Sequence, residues 1–335
     1  MTSFPDYNPE LVAYQKRHIK KLKEVLAKLG AKKLIRLFIY AYEDIKDSGA
    51  VKKNESLRGI YNNRRCFILG TGVSLNEIDL SQLANEYSFG CGYLFLHKNF
   101  KELNIDFYAD ADPFRNCKKD VLMHYFSLLN EKIENPETIF FLTVNNKSFI
   151  EKHGIFQNRN VHYIKASQSM LETAVQSNNL AERITFLDGS IFFMIAAAIY
   201  MGFKELYLCG CGYTYKPVLE WHFYGEYPDI SLPGYKKSIF SRDIPEKERL
   251  KMIKNFAAEH GVEIYNVRQE GPFDVVTFVR NLLVDKRHQI IKEFAETNGA
   301  RIYNVVPDGF ESPVYEKVSW GYIVKNILPE TAFVK

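Results

Sequence analysis

Residues 65–75 read Arg65-Cys-Phe-Ile-Leu-Gly-Thr-Gly-Val-Ser-Leu75, an apolar β-like run that empties into Gly70-Thr71-Gly72 with Ser74 two residues on. Such a run, stopped at once by glycine, predicts a buried parallel strand with a tight turn at its carboxyl end. Glycines there let the backbone approach an anion closely, and a helix start beyond them aims free N–H groups at it. The stretch therefore points to a phosphate-bearing ligand. Its spacing is Gly-x-Gly-x-Ser, which is neither the dinucleotide fingerprint Gly-x-Gly-x-x-Gly nor a P-loop ending in Gly-Lys-Ser/Thr. A strand-to-loop turn with no ligand is the alternative reading.

Outward from this turn, short runs rich in Phe, Tyr, Ile, Leu and Val alternate with helix-like segments. Strands are predicted at 65–70, 87–91, 106–110, 138–144, 161–166 and 205–211. The clearest helix is 189–202, where Gly189-Ser190 opens an apolar run from Ile191 to Met201 that stops at Gly202. Alternation with crossovers long enough for helices predicts an α/β fold on a mostly parallel, doubly wound, Rossmann-like sheet. Ligands of such sheets bind beyond the carboxyl ends of the strands. Near the C-terminus, Ile253–Val267 and Ile291–Val305 align without gaps at an offset of 38 residues, each reading as a helix, a glycine and a strand carrying Ile-Tyr-Asn. Two copies fall short of a solenoid, which needs about three. They read as successive helix–strand units, either or both of which could extend the sheet.

Three regions follow from this pattern: a basic amphipathic helical extension at 1–58, a Rossmann-like core at 59–245, and the duplicated units packed on it at 246–335. With 46% hydrophobic residues, the 335-residue chain can bury the core of one large or two moderate domains. Between Lys16 and Arg36, basic side chains interleave with Leu22, Val25, Leu26, Leu29, Leu34 and Ile35 at helical spacing. That surface is either a solvated face packed on the body or an attachment to an anionic membrane surface. A net charge of +4 does not by itself indicate nucleic acid. No run of about 18 uncharged apolar residues and no secretory leader is legible, which predicts a cytoplasmic protein, or a peripheral one on the inner face of the membrane. Five scattered cysteines fit a reducing compartment. The close pair Cys209 and Cys211 is expected on one face of a strand as buried thiols.

Two further clusters carry polar chemistry. The third predicted strand ends Phe107-Tyr-Ala-Asp-Ala-Asp112, setting Asp110 and Asp112 at the sheet edge, where their oxygens could hold Mg²⁺ against a diphosphate. Asp before Pro113 is also a good turn starter. The stretch Gly212–Pro228 is dense in aromatic residues, and rings such as Tyr213, Tyr215, Trp221 and Tyr224 beyond a strand end favour a lid over a ligand. Within it, His222 titrates near neutrality and is suited to take a proton from a hydroxyl. The other histidines, His97, His162 and His288 among them, offer no partner pattern. Gly-x-Ser-x-Gly, His-Glu-x-x-His and the kinase set are absent, which weakens hydrolase, zinc-peptidase and kinase readings.

Taken together, Cys66–Leu83, Gly189–Tyr213 and the helix–strand unit ending in Ile-Tyr-Asn resemble a Rossmann-type family. It includes the motility accessory factors of flagellin glycosylation and the archaeal 6-hydroxymethylpterin diphosphokinases. More distantly, the same segments resemble the bacterial CMP-sialic acid-dependent sialyltransferases with a single Rossmann domain. The resemblance spans roughly residues 60–310. It implies that Gly70, Thr71, Gly72 and Ser74 stand where the sialyltransferases hold nucleotide phosphate with Gly-Asn-Gly-Pro-Ser, threonine replacing asparagine and Val73 replacing proline. Gly92 and Asp110 stand where those enzymes carry asparagines. Arg183 matches an arginine, and Ser190, after Gly189, a serine that contacts the donor; Ser190 equally reads as an N-cap. Tyr213 and Tyr215 match tyrosines at the phosphate leaving group, and His222 matches the general base.

The first reading is a glycosyltransferase that moves a sugar from a nucleotide donor, a CMP-linked acidic sugar by resemblance, to a surface-glycan acceptor, with no cofactor required. The second is Mg²⁺-dependent pyrophosphoryl transfer from ATP to a pterin-like alcohol, with Asp110 and Asp112 at the metal. The third is a non-catalytic nucleotide- or glycan-binding module of a polysaccharide assembly complex.

Overall fold

The computed structural model describes residues 48–110, 119–169, 179–187, 189–211, 287–305 and 314–329. Apart from Ser48 and Gly49, these belong to the compact unit Ala50–Lys335. Nine strands form one sheet: β1 (Arg65–Leu69), β2 (Ser88–Cys91), β3 (Phe107–Asp110), β4 (Ile139–Thr143), β5 (Asn160–Ser169), β6 (Arg183–Leu187), β7 (Glu205–Cys209), β8 (Arg301–Val305) and β9 (Glu316–Val318). Their order is β6-β5-β4-β3-β2-β1-β7-β8-β9, and every neighbouring pair is parallel. The sheet is thus the doubly wound α/β arrangement that the alternation predicts. All residues of β1 to β4 are buried, which is why these strands read as continuous apolar runs instead of alternating ones.

Helices α1 (Lys119–Lys132) and α2 (Lys147–Lys152) cover one face, over Phe67, Leu69, Tyr108, Phe140 and Leu142. The other face, with Cys66, Ile68, Phe89, Phe141 and Leu208, is covered by α3 (Ser190–Met201) and by α4, residues 287–297. Helix α3 is buried from Phe192 to Met201, as a helix apolar on all sides must be. Its ends are glycines at positive φ, Gly189 at 129° and Gly202 at 101°. The N-cap is Gly189, so Ser190 is the first helical residue and not the cap that its side chain suggested. In the second copy of the repeat, α4 gives way at Gly299 (φ 69°) to β8, which extends the sheet beside β7. The first copy, 253–267, lies outside the described residues, as do the basic helices expected at 8–47.

Two strands escaped the sequence reading. Strand β6 is five residues directly before a helix start, and β9 has a single apolar residue, Val318, and is defined by its pairing with β8. The polar stretch 46–56, expected as a link, is also more than that. From Lys53 to Leu57 it forms a 3-10 helix whose Asn54 is wholly buried. The Asn54 amide donates to the carbonyls of Tyr163 (2.8 Å) and Leu180 (2.7 Å), while its oxygen accepts from His162 Nδ1 at 2.8 Å. Tyr200 Oη, from α3, donates to the Asn54 carbonyl at 3.2 Å. At the other end of the sheet, Arg65 opens β1 fully buried because its guanidinium pairs with Glu86 at 2.8 and 2.6 Å. A buried charge of this kind survives only when paired.

Candidate functional site

Strand β1 is flanked by β2 on one side and β7 on the other, so the order of strands reverses direction there. The crevice beyond the carboxyl ends at such a switch point is where open α/β sheets bind ligands. Two glycine turns meet in it. The N–H of Gly70 donates to the carbonyl of Cys209 at 2.8 Å, and that of Gly72 to the carbonyl of Gly210 at 2.7 Å. A Cβ on Gly70 would lie 2.5 Å from the Gly210 oxygen and 2.9 Å from Cys211 Sγ. Glycine at 70 is therefore dictated by the close approach of the two turns.

From Gly72 the chain enters a five-residue 3-10 helix, Val73–Glu77. Ser74 in its first turn is 2% exposed, and its Oγ has no hydrogen-bond partner. A buried hydroxyl left unsatisfied costs about 1–3 kcal/mol. His97 braces this turn from beneath: its Nδ1 accepts the Asn99 N–H at 3.2 Å, so Nε2 carries the proton and donates to the Leu75 carbonyl at 3.2 Å. Burial lowers the His97 pKa and favours that neutral form.

Strand register aligns three further residues. Leu69 pairs with Gly90, and Cys91 with Ala109, so Thr71, Gly92 and Asp110 stand at one level on three consecutive strands. A Cβ on Gly92, at φ 59°, would lie 3.7 Å from Thr71 Cγ2. The Gly92 carbonyl accepts from Tyr108 Oη at 2.8 Å and Tyr125 Oη at 3.3 Å. Asp110 closes the row, 2% exposed. Burial first, and the Asp110 carboxylate second, push the Cys91 thiol up to about 12 and hold the Tyr125 phenol well above its usual range. Tyr125, from α1, was missed in the sequence because nothing in the helix pattern marks it. Tyr108 could have been found, since it lies two residues before Asp110 and so on the same face of the strand.

Of the remaining predicted site residues, Arg183, Gly189 and Ser190 are described. Lys165 of β5 pairs with Arg183, and Thr143 of β4 with Ile164, so Arg183 is level with the ends of the central strands. It lies five strand positions from β1, however, about 24 Å at the usual strand spacing, and the structure does not bring it to the glycine turns. Gly189 and Ser190 begin α3, whose first turn meets that of α4 through Phe192 and His288, with ring centroids 4.6 Å apart. His288 is not without a partner: its Nδ1 shares a hydrogen bond with Tyr315 Oη, and burial takes its pKa down to about 3. Cys209 and Cys211 do not share a face. The strand ends at Cys209, Gly210 turns the chain at φ 65°, and the two buried thiols enter opposite layers of the core. Asp112, Tyr213, Tyr215 and His222 lie outside the described residues. Among the described residues, no group of three or more His, Cys, Asp or Glu side chains could hold a metal, and no helix is long and apolar enough to cross a membrane.

No family model matches the chain, and no curated protein does. Among solved structures it is similar to the sialyltransferase CstII from Campylobacter jejuni in complex with cytidine-5'-monophosphate. That match has 16% identity over 76% of this chain and 85% of the other, with a TM-score of 0.37. It is similar to the monofunctional alpha-2,3-sialyltransferase Cst-I of the same organism at 15% identity, over 73% and 77% of the two chains, with a TM-score of 0.35. Likeness at this level fixes no activity.

Proposed function

We propose that this protein is a glycosyltransferase that takes a sugar from a nucleotide donor and passes it to a glycan hydroxyl. The observation that carries the reading is the unpartnered, buried Ser74 Oγ beside the Gly70–Gly72 turn, at the switch point of a parallel sheet. A phosphate oxygen is the acceptor that this hydroxyl lacks. The sequence resemblance supplies the reaction type. In the reaction the acceptor hydroxyl attacks the anomeric carbon, the bond to the nucleotide phosphate breaks, and His222 takes the hydroxyl proton while Tyr213 and Tyr215 stabilise the departing phosphate.

Titrating the purified chain with CMP, CDP, UDP, GDP and ATP, each with and without Mg²⁺, tests the binding half of the reading. A nucleotide should bind without the metal. His222→Ala should then cut turnover about a hundredfold or more with nucleotide binding nearly intact, and full turnover in that variant would remove the histidine from the mechanism. One observation favours the pyrophosphoryl-transfer reading instead: the Asp110 carboxylate at the edge of β3. That reading requires activity to vanish with a chelator.

A further inference from the structure

We infer that His97 is a positioning residue for the phosphate site: by holding the Leu75 carbonyl it sets the Val73–Glu77 turn where the Ser74 hydroxyl can reach a phosphate oxygen. The inference rests on the nucleotide-donor reading above and adds to it the residue that keeps Ser74 in place.

The turn that carries Ser74 is too short to hold itself. A 3-10 helix of five residues has poorer hydrogen-bond geometry than an α-helix and little cooperative stability of its own. Its backbone bonds run from the Leu75 N–H to the Gly72 carbonyl at 3.0 Å and from the Ile78 N–H to the Leu75 carbonyl at 3.1 Å. Leu75 is where the rest of the fold takes hold of it. A Cβ on Gly210 would lie 3.1 Å from both Leu75 Cβ and Cδ1, so that side chain packs against the turn after β7. The Leu75 carbonyl accepts a second bond, from His97 Nε2 at 3.2 Å. Ser74 therefore lies between two anchored residues, Gly72 tied to Gly210 at 2.7 Å and Leu75 tied to His97.

His97 is itself built as a fixed point. It follows the 3-10 turn Leu94–Leu96 beyond β2 and is buried. Its N–H donates to the Leu94 carbonyl at 2.9 Å, and its carbonyl accepts from the Phe100 N–H at 3.0 Å. Both ring nitrogens are engaged as well. The bond from the Asn99 N–H to Nδ1 is local and orients the ring, whereas the bond from Nε2 to Leu75 crosses 22 residues and joins the turn after β2 to the turn after β1. Filling this space would need only an apolar side chain. Reaching the Leu75 carbonyl needs a donor at the far end of the side chain, which the neutral ring supplies at Nε2 once Nδ1 is an acceptor.

Substitutions that copy one ring nitrogen at a time test this. In His97→Gln the side-chain N–H₂ takes the place of Nε2 and can donate to Leu75. In His97→Asn the shorter amide takes the place of Nδ1 and stops short of that carbonyl. The full chain is titrated by calorimetry with whichever of CMP, CDP, UDP, GDP and ATP binds the wild type most tightly. His97→Gln should stay within about twofold of the wild-type affinity, and His97→Asn should lose about fivefold. In a Ser74→Ala background, His97→Asn should cost less than about twofold, because the hydroxyl that His97 positions is gone. Denaturant midpoints separate this from a merely structural role: each variant gives up one ring bond and both midpoints should fall, whereas only one variant loses affinity. Equal losses of affinity in the two variants, no loss in either, or a His97→Asn loss that persists in full beside Ser74→Ala overturns the inference while leaving nucleotide binding in place. Absence of any nucleotide binding by the wild type overturns the reading beneath it. Should His97→Asn fail to fold, His97→Gln decides: wild-type affinity supports the inference, and a loss of about fivefold overturns it.

Discussion

The N–H of Gly72 donates to the carbonyl of Gly210 across 2.7 Å, joining the turn after β1 to the turn after β7. Together with the bond from Gly70 to Cys209 at 2.8 Å, it fixes the glycine turn by backbone contacts alone. The turn is therefore formed before any ligand arrives, and binding has little ordering entropy to overcome. What remains unfinished in it is Ser74.

Gly70→Ala should damage both stability and binding. The new methyl would meet the Gly210 oxygen at 2.5 Å and Cys211 Sγ at 2.9 Å, and the first of these is backbone that cannot rotate away. Overpacking of this kind costs about 1–3 kcal/mol. The denaturant midpoint should fall accordingly and nucleotide affinity should drop with it. An unchanged midpoint would show that the two turns are not in contact.

Ser74→Ala separates the same two quantities. The alanine removes a buried hydroxyl that has no partner in the free protein, so stability should hold or rise by up to about 1 kcal/mol. Nucleotide affinity should fall about tenfold, the loss of one hydrogen bond to a charged oxygen. Loss of stability in the variant would mean that the hydroxyl is already satisfied.

The features legible in the sequence were those set by local pattern. Strand β1 and the Gly70–Gly72 turn could be read because a buried strand needs an unbroken apolar run and the turn needs glycine. Helix α3 could be read because its apolar run is bounded by Gly189 and Gly202. What could not be read was set by partners distant in sequence. Val318 belongs to a strand only because β8 lies beside it. Gly210 turns the chain at φ 65° where it approaches Gly70 and Leu75, and Cys211 leaves the face that strand alternation assigns it. Asn54 is buried because two segments distant in sequence, strand β5 at His162 and Tyr163 and the turn at Leu180, present groups that match its amide. In the candidate site Thr71, Gly92 and Asp110 were named one by one on the resemblance and only the strand register sets them level, whereas Tyr125 comes from a helix whose sequence gives no sign of it. Arg183 was named on the resemblance alone, and β6, which carries it, is the outermost strand on its side.

Acid should destabilise the protein through its buried histidines. His162 is 2% exposed and desolvation takes its pKa down to about 4; His288, 1% exposed, is taken down to about 3. In the unfolded chain both titrate near 6.5. As the pH falls below that value the unfolded chain binds protons that the folded protein refuses, so stability is lost from about pH 6.5 down to about pH 4 for His162, and to about pH 3 for His288. Each histidine contributes a slope approaching about 1.4 kcal/mol per pH unit in that window. His162→Gln should be less stable at pH 7, where the Asn54 oxygen loses its ring N–H partner. It should also lose less than the wild type between pH 6.5 and pH 4.5, because one proton-binding group of the unfolded chain is gone. Denaturant midpoints at pH 7, 6 and 5 measure both effects. Carboxylates act alike in the two proteins, so their difference isolates the ring, and identical slopes would mean that His162 titrates normally in the folded state.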